Sequence, residues 1–464
     1  MITMESTGEE SALEERASPW IAFTRVFAGL LVLYEVVAGG WWKVGTPSTG
    51  TNPEWFGAEA GSAITRVAER AIDEGVYGWY AAVLESVVLP YATEWATLAA
   101  VGQLLIALGL IVGLWTRPAA IFGLLYFLPV FHFGTIRTSP LFAVPIAFAL
   151  VANAGYHYGL DGWLRERGSR GARLSDRVAS LGGLTIPRRA YPGLAAASAV
   201  VAVYYLLSIS QFESGRLALV GLELTVFFAI LAGWFALAAR GKETVALAAD
   251  GLRIFVGYRF LQEIFVRSDP GLNALPGWAS AGDQAAVFEA VAATHLGPVS
   301  LLLESVVLPA IGAWVVAFAL VQTACGVALL VGYRTRLFGT VAVSYLLVLV
   351  ALGFVRLAPL VLASAVAAAA LGGRYASLDA VAGRREGPPA VPARLAPAFV
   401  GVTVGFGTLG IALGVEPGGY GETTGAITLV MLAMLAAAAA VAARAGDSSE
   451  PARGRPSGNE AVSD

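Results

Sequence analysis

The chain is short of most of the residues that redox and metal chemistry relies on. A single cysteine, Cys325, excludes an internal disulfide, a paired-thiol centre and a cysteine-ligated metal. The three histidines, His132, His157 and His295, stand far apart without ligand spacing, so the sequence shows no haem or metal motif, and no flavin motif. Charge is also scarce. Only 14% of the 464 residues are Asp, Glu, Lys or Arg, and among the basic ones only Lys43 and Lys242 are lysines. The first eighteen residues are acidic and lack the basic-then-apolar pattern of a cleaved leader.

What is present is apolar. With 57% hydrophobic residues and a mean hydropathy of +0.70, the chain has too little polar surface for a soluble globule and belongs in a bilayer. Crossing about 30 Å of hydrocarbon takes roughly 20 helical residues. Runs of that kind lie near 20–41, 92–115, 118–135, 139–158, 193–210 and 217–239, then near 248–266, 311–332, 337–355, 357–372, 396–414 and 425–443. The expected fold class is therefore all-α, a polytopic membrane protein with about 12 transmembrane helices.

The sequence also repeats itself. Leu84-Glu85-Ser86-Val87-Val88-Leu89-Pro90 recurs as Leu303-Glu304-Ser305-Val306-Val307-Leu308-Pro309, an offset of 219 residues. The same offset pairs Gln103 with Gln322, Thr116-Arg117 with Thr335-Arg336, Tyr126 with Tyr345, Arg137 with Arg356 and Tyr156 with Tyr375. Upstream, an offset of 228 pairs Arg25-Val26-Phe27 with Arg253-Ile254-Phe255 and Glu35 with Glu263. These pairings predict an internal duplication. Six spans per copy make the two repeats parallel, related by an axis along the membrane normal.

The expected layout is a disordered tail at 1–18, a four-helix unit at 19–160, an arginine-rich linker at 161–191 and a helix pair at 192–245. A second unit follows at 246–376, then a linker at 377–394, a second helix pair at 395–444 and a disordered tail at 445–464. Seven arginines in the first linker place it in the cytoplasm, with both termini on the same side of the cell membrane. Pro90 and Pro309 are expected to end or kink the short segments that carry the repeated motif.

Polar residues that recur in an apolar background are the candidate ligand-binding positions. Glu35 and Glu263 lie well inside spans, where a carboxylate costs roughly 2.5–3.5 kcal/mol on insertion scales and normally faces a cavity or a partner. Arg259, one turn before Glu263, is a possible ion-pair partner; the first copy has Leu31 there. Glu85 and Glu304 precede a proline, where irregular backbone needs protein or water beside it. They either meet a polar headgroup or hold the kink. Gln103 and Gln322 offer amides that hold a ligand oxygen or join helices. Tyr126 and Tyr345 offer hydroxyls or fill a helix interface, and Arg137 and Arg356 on the outer side are placed to anchor an anion or the motif glutamate. No residue is assigned a catalytic role.

Two signals are set aside. Gly405-Phe406-Gly407-Thr408-Leu409-Gly410 matches a dinucleotide fingerprint literally but lies inside an apolar span rather than between a strand and a helix. The arginine linker borders the membrane, so topology and anionic lipid explain it better than nucleic acid.

With these motifs in hand, the chain resembles the DoxX and DoxD family of small membrane proteins. The resemblance rests on the Arg25-Val26-Phe27 opening, the long polar loop after the first span and the Gly113-Leu114-Trp115-Thr116-Arg117 turn. It covers roughly 20–160 and 250–380 and implies a four-helix bundle in each copy. It further implies a membrane subunit linked to quinone oxidoreduction, DoxD being the small subunit of thiosulfate:quinone oxidoreductase. On that expectation the cofactor is a quinone, and the partners are membrane lipid, a small lipid-soluble ligand and a soluble or membrane redox subunit that supplies electrons. Two rival expectations stand beside it: a secondary transporter of six plus six spans, with Glu35 and Glu263 converging on one site, or a scaffold without a ligand.

Overall fold

The computed structural model describes residues 8–37, 43–44, 51–132, 139–167, 170–180, 186–212, 215–266, 281–294, 297–351, 358–384 and 388. The described residues are helical and connected by short turns, with one isolated antiparallel bridge between Val44 and Thr51. The expected spans near 396–414 and 425–443, the glycine motif at 405–410, and Arg137 and Arg356 lie outside the described residues.

Helix α1 (Gly8–Val37) is followed by the surface helix α2 (Ser62–Asp73) and by α3 (Gly78–Val83), α4 (Ala92–Val112), α5 (Thr116–Phe131) and α6 (Ser139–Val151). Short helices α7 (Leu160–Arg167) and α8 (Arg170–Ala179) lead to α9 (Tyr191–Ser208) and α10 (Gly215–Ala239). After α10 come α11 (Thr244–Val266), α12 (Ala281–Thr294), α13 (Gly297–Leu302), α14 (Ile311–Val331), α15 (Thr335–Ala351), α16 (Ala358–Leu371) and α17 (Leu378–Val381).

Among the described residues, five helical stretches are long and apolar enough to cross a membrane: Arg16–Val37, Gly78–Val112, Arg188–Gln211, Leu217–Ala239 and Gly297–Val331. This is a multi-pass membrane architecture. Helices α1, α6, α11 and α16 pack on one another at its centre. Around them, α4, α5, α9 and α14 keep outward apolar faces, with Leu105, Leu125, Val200, Leu207 and Leu320 more than 60% exposed, as lipid contact requires. Small residues set the closest crossings. A Cβ on Gly29 would meet Ile111 at 2.8 Å, and one on Gly257 would meet Leu330 N at 2.5 Å, so α1 lies against α4 and α11 against α14 through glycine.

The repeated motif corrects one expectation and explains itself. Pro90 does not end its segment, because Gly78–Val112 runs as one 35-residue helical stretch, and so does Gly297–Val331 through Pro309. The ring is accommodated by a wider π turn over Leu84–Val88 and a tighter 3-10 turn over Leu89–Tyr91, a pair that recurs at Leu303–Val307 and Leu308–Ala310. The altered ladder is completed from the side: Trp95 Nε1 donates to the Val87 carbonyl at 3.0 Å and Trp314 Nε1 to the Val306 carbonyl at 3.3 Å. Ser86 and Ser305 each donate back to the carbonyl four residues earlier. At 1.5 Å per residue the stretch is about 50 Å long, more than the hydrocarbon is thick, so one end projects into the interface.

Three other expectations change. Residues 8–18, placed in a disordered tail, are the first turns of α1, and Ala, Leu and Glu are good helix formers. Ser18 Oγ and His157 Nδ1 lie 2.8 Å apart and tie this helix to the end of the first unit. The arginine linker folds into α7 and α8, held by Tyr156, whose hydroxyl donates to Asp176 at 3.0 Å, and by Trp115 Nε1, which donates to Ser175 Oγ at 3.0 Å. Within the loop expected after α11, Ala281–Thr294 is helical.

Candidate functional site

The family-like motifs meet at a structural latch. Asp161 accepts from Trp115 N at 2.7 Å and Thr116 N at 3.0 Å, so one carboxylate holds the first amides of α5. Asp379 does the same for α15 through Arg334 N at 2.9 Å and Thr335 N at 2.7 Å. Trp115 and Arg334 adopt positive φ, 50° and 44°. Beneath each turn lies a fully buried arginine. Arg25 Nη2 donates to the Tyr158 carbonyl at 3.2 Å, and Arg253 bonds the carbonyls of Leu329, Leu330 and Ala376. Asp161 and Asp379 are functional to the fold, yet the fixed offset of 219 misses them, since the spacing between them is 218.

The polar residues on the other side of the first unit form a different group. Beyond the end of α1 the chain turns back, with Lys43 N and Val44 N both donating to the Val36 carbonyl. This turn buries Lys43, 2% exposed, and sets its ammonium 4.3 Å over the Trp55 ring. Glu35 acts electrostatically on both Lys43 and Tyr126. Trp55 and Tyr126 pack together against Ala96 and Ala99 of α4, and Gln103 follows Ala99 by one turn on the same helix face. Two buried polar atoms here have no hydrogen-bond partner among the described residues: the donor Trp55 Nε1 and the acceptor Gln103 Oε1. Sequence reasoning did not single out Lys43 or Trp55, because neither has a counterpart in the second copy.

In the second unit the corresponding amide is closed off by its own partners. Gln322 Nε2 donates to the Phe260 carbonyl at 3.0 Å, and Tyr345 donates to Gln322 Oε1 at 3.1 Å. Glu263 accepts from Arg259 Nη2 at 2.8 Å. Glu85 and Glu304 are exposed on their π turns, so the fold shelters neither. A surface depression of about 570 Å³ on α2, lined by Arg66, Glu69, Arg70 and Asp73 among others, contains none of these residues.

Residues 74–134 match the DoxX family model. This DoxX segment covers α3, the π turn, α4 and α5, well short of half the chain. It contains Glu85, Gln103 and Tyr126, while Glu35, Lys43 and Trp55 are brought to it by the preceding helix and loop. No curated protein and no solved structure matches the chain. His132, at the end of the DoxX segment, lies 2.9 Å from the Tyr205 hydroxyl through Nε2 and is ringed by Tyr77, Trp79 and Tyr80, which joins the segment to α9.

Burial pulls the Lys43 ammonium from its ordinary 10.5 down to about 8, and Glu35 opposes that shift. Between those values the unfolded chain binds a proton that folded Lys43 gives up, so stability rises with pH across the window. The expected gain, on the order of 3 kcal/mol at most, is readable as a rising thermal midpoint from pH 8 to about 10.5. Lys43→Met should flatten the curve; an unchanged slope in that variant would assign the effect elsewhere.

Proposed function

We propose that the first unit holds the ring oxygen of a small lipid-soluble ligand, with a quinone as the class its groups fit, and that the chain serves as a membrane subunit of a quinone-linked oxidoreductase. The observation that carries this reading is the pair of buried, unpartnered atoms at Trp55 Nε1 and Gln103 Oε1, beside Glu35, Lys43 and Tyr126. A quinone carbonyl accepts from the indole N–H; a quinol hydroxyl donates to the amide oxygen. Lys43, held near neutrality, and Glu35 are placed to exchange the accompanying protons. Electrons come from a partner subunit, since the chain's residues supply no redox group of their own.

We further read the chain as two parallel six-helix copies, twelve spans in all, in the cell membrane with both termini cytoplasmic. Support comes from the shared π turn with its tryptophan prop, the shared carboxylate latch and the matched glycine crossings. A redox subunit is favoured over a transporter with one shared site because the two span glutamates sit in different groups. Glu35 faces Lys43 and Tyr126, while Glu263 faces Arg259.

Binding of a fluorescent or tritiated quinone analogue to the full chain in lipid nanodiscs tests the ligand. Trp55→Phe and Gln103→Leu should each weaken binding about tenfold, near 1.4 kcal/mol. Gln322→Leu, in the closed copy, should leave it unchanged. An analogue that fails to bind, or binds equally well to all three variants, would sink the proposal.

A further inference from the structure

Between α10 and α11 lies a charged group within the helices that neither the repeat nor the DoxX segment accounts for. Glu223 lies on α10, whose Leu217–Ala239 stretch is one of the five candidate spans, and its side chain is 2% exposed. Its Oε1 accepts from Arg259 Nη1 and, at 2.8 Å, from Gln262 Nε2. Arg259 Nη1 also donates to Gln262 Oε1, and Nη2 donates to Glu263 at 2.8 Å. One guanidinium thus serves two carboxyl groups. The first copy has no such group, with Leu31 in the place of Arg259.

Glu223 Oε2 is buried without a hydrogen-bond partner among the described residues, and the same is true of the Tyr258 hydroxyl, which Glu223 influences electrostatically. A carboxylate oxygen left in that state pays the full desolvation cost of its charge. The charged groups facing Glu223 are Arg259 and Glu263, both on α11. Helix α9, packed on its other side, has no Asp, Glu, Lys, Arg or His, and α10 itself has only Arg216 besides. A proton on Oε2 covers the oxygen that no donor reaches, while Oε1 still accepts from Arg259 and Gln262 and Arg259 keeps Glu263 as its ionic partner.

We propose that Glu223 is a proton-binding site inside the membrane, with an exchangeable proton on Oε2 at neutral pH. The step is balanced as simple protonation: the O–H bond forms with a proton from water and breaks on its return. This site stands apart from the quinone reading, since it shares no residue with the group around Gln103.

The test uses the full chain in lipid nanodiscs. Infrared difference spectra across a pH step, in H₂O and D₂O, should show a protonated-carboxyl band near neutral pH that shifts on ¹³C-glutamate labelling of the wild-type protein. Glu263→Gln should keep the band and Glu223→Gln should lose it. Because glutamine imitates the protonated acid, Glu223→Gln should move the thermal midpoint by less than about 3 °C. A missing band, a band that survives Glu223→Gln, or a large loss of folded protein in that variant would show an ionised Glu223 paired with Arg259 and overturn the proposal. A band that appears only when sodium is replaced by choline would identify a bound cation instead, with the same consequence.

Discussion

Gly113→Val is expected to leave little folded protein. Gly113 ends α4 at φ 73°, a conformation that costs a residue with a Cβ roughly 1–2 kcal/mol. Space is the larger obstacle, because the position a Cβ would take is already occupied by the Arg25 guanidinium. That group is fully buried, donates to the Tyr158 carbonyl and has Asp161 as its counter-charge, so it has nowhere to retreat. Forcing a side chain into a filled core adds about 1–3 kcal/mol. The total, about 2–5 kcal/mol, is a large share of the 5–15 kcal/mol that typically holds a domain together. Gly75 is the control: it has φ 77° and nothing within 4 Å of a Cβ, so Gly75→Ala should cost only the backbone term, about 1 kcal/mol. Thermal melts of the two variants in detergent decide the matter. Equal midpoints would mean that Arg25 does not need the glycine.

The sequence is readable here where chemistry repeats at fixed spacing, and opaque where the third dimension supplies the partner. The motif around Glu85 is visible as a string, but a proline in a string reads as a stop. That Trp95, eight residues on, completes the ladder at Val87 depends on its indole reaching back along the helix to that carbonyl. The Gly113–Arg117 turn and the Arg25 opening are each recognisable, yet nothing in the text joins them. Their union depends on Asp161, which slips out of register by one residue in the second copy. Gln103 and Tyr126 are found because they recur. Lys43 and Trp55 are hidden in a loop without periodicity, and Glu223 in a helix pair that none of the repeated motifs reaches. Amphipathic periodicity, the usual guide, gives little help when lipid replaces water outside the bundle and both faces are apolar.

Asp161→Ala should be more damaging than the same change at its counterpart, Asp379. Removing the Asp161 carboxylate strips the amides of Trp115 and Thr116 of their acceptor, and each buried donor left unsatisfied costs about 1–3 kcal/mol. It also leaves Arg25 fully buried with one hydrogen bond, to Tyr158, and no counter-charge; breaking such an arrangement costs about 3–5 kcal/mol. In the second unit the load is divided. Asp250, which has no equivalent in the first, lies 3.4 Å from Arg253 Nε and accepts from the amides of Gly373, Tyr375 and Ala376. Arg253 keeps that partner and its bonds to Leu330 and Ala376 when Asp379 is removed. Asp379→Ala should therefore lose the two cap bonds at Arg334 and Thr335, about 2–6 kcal/mol, and only the smaller part of the counter-charge on Arg253. Asp161→Asn, which retains one acceptor oxygen, should fall between wild type and Asp161→Ala. If Asp379→Ala instead lowers the thermal midpoint as far as Asp161→Ala, Asp250 does not share the load, and the two latches stand or fall alike.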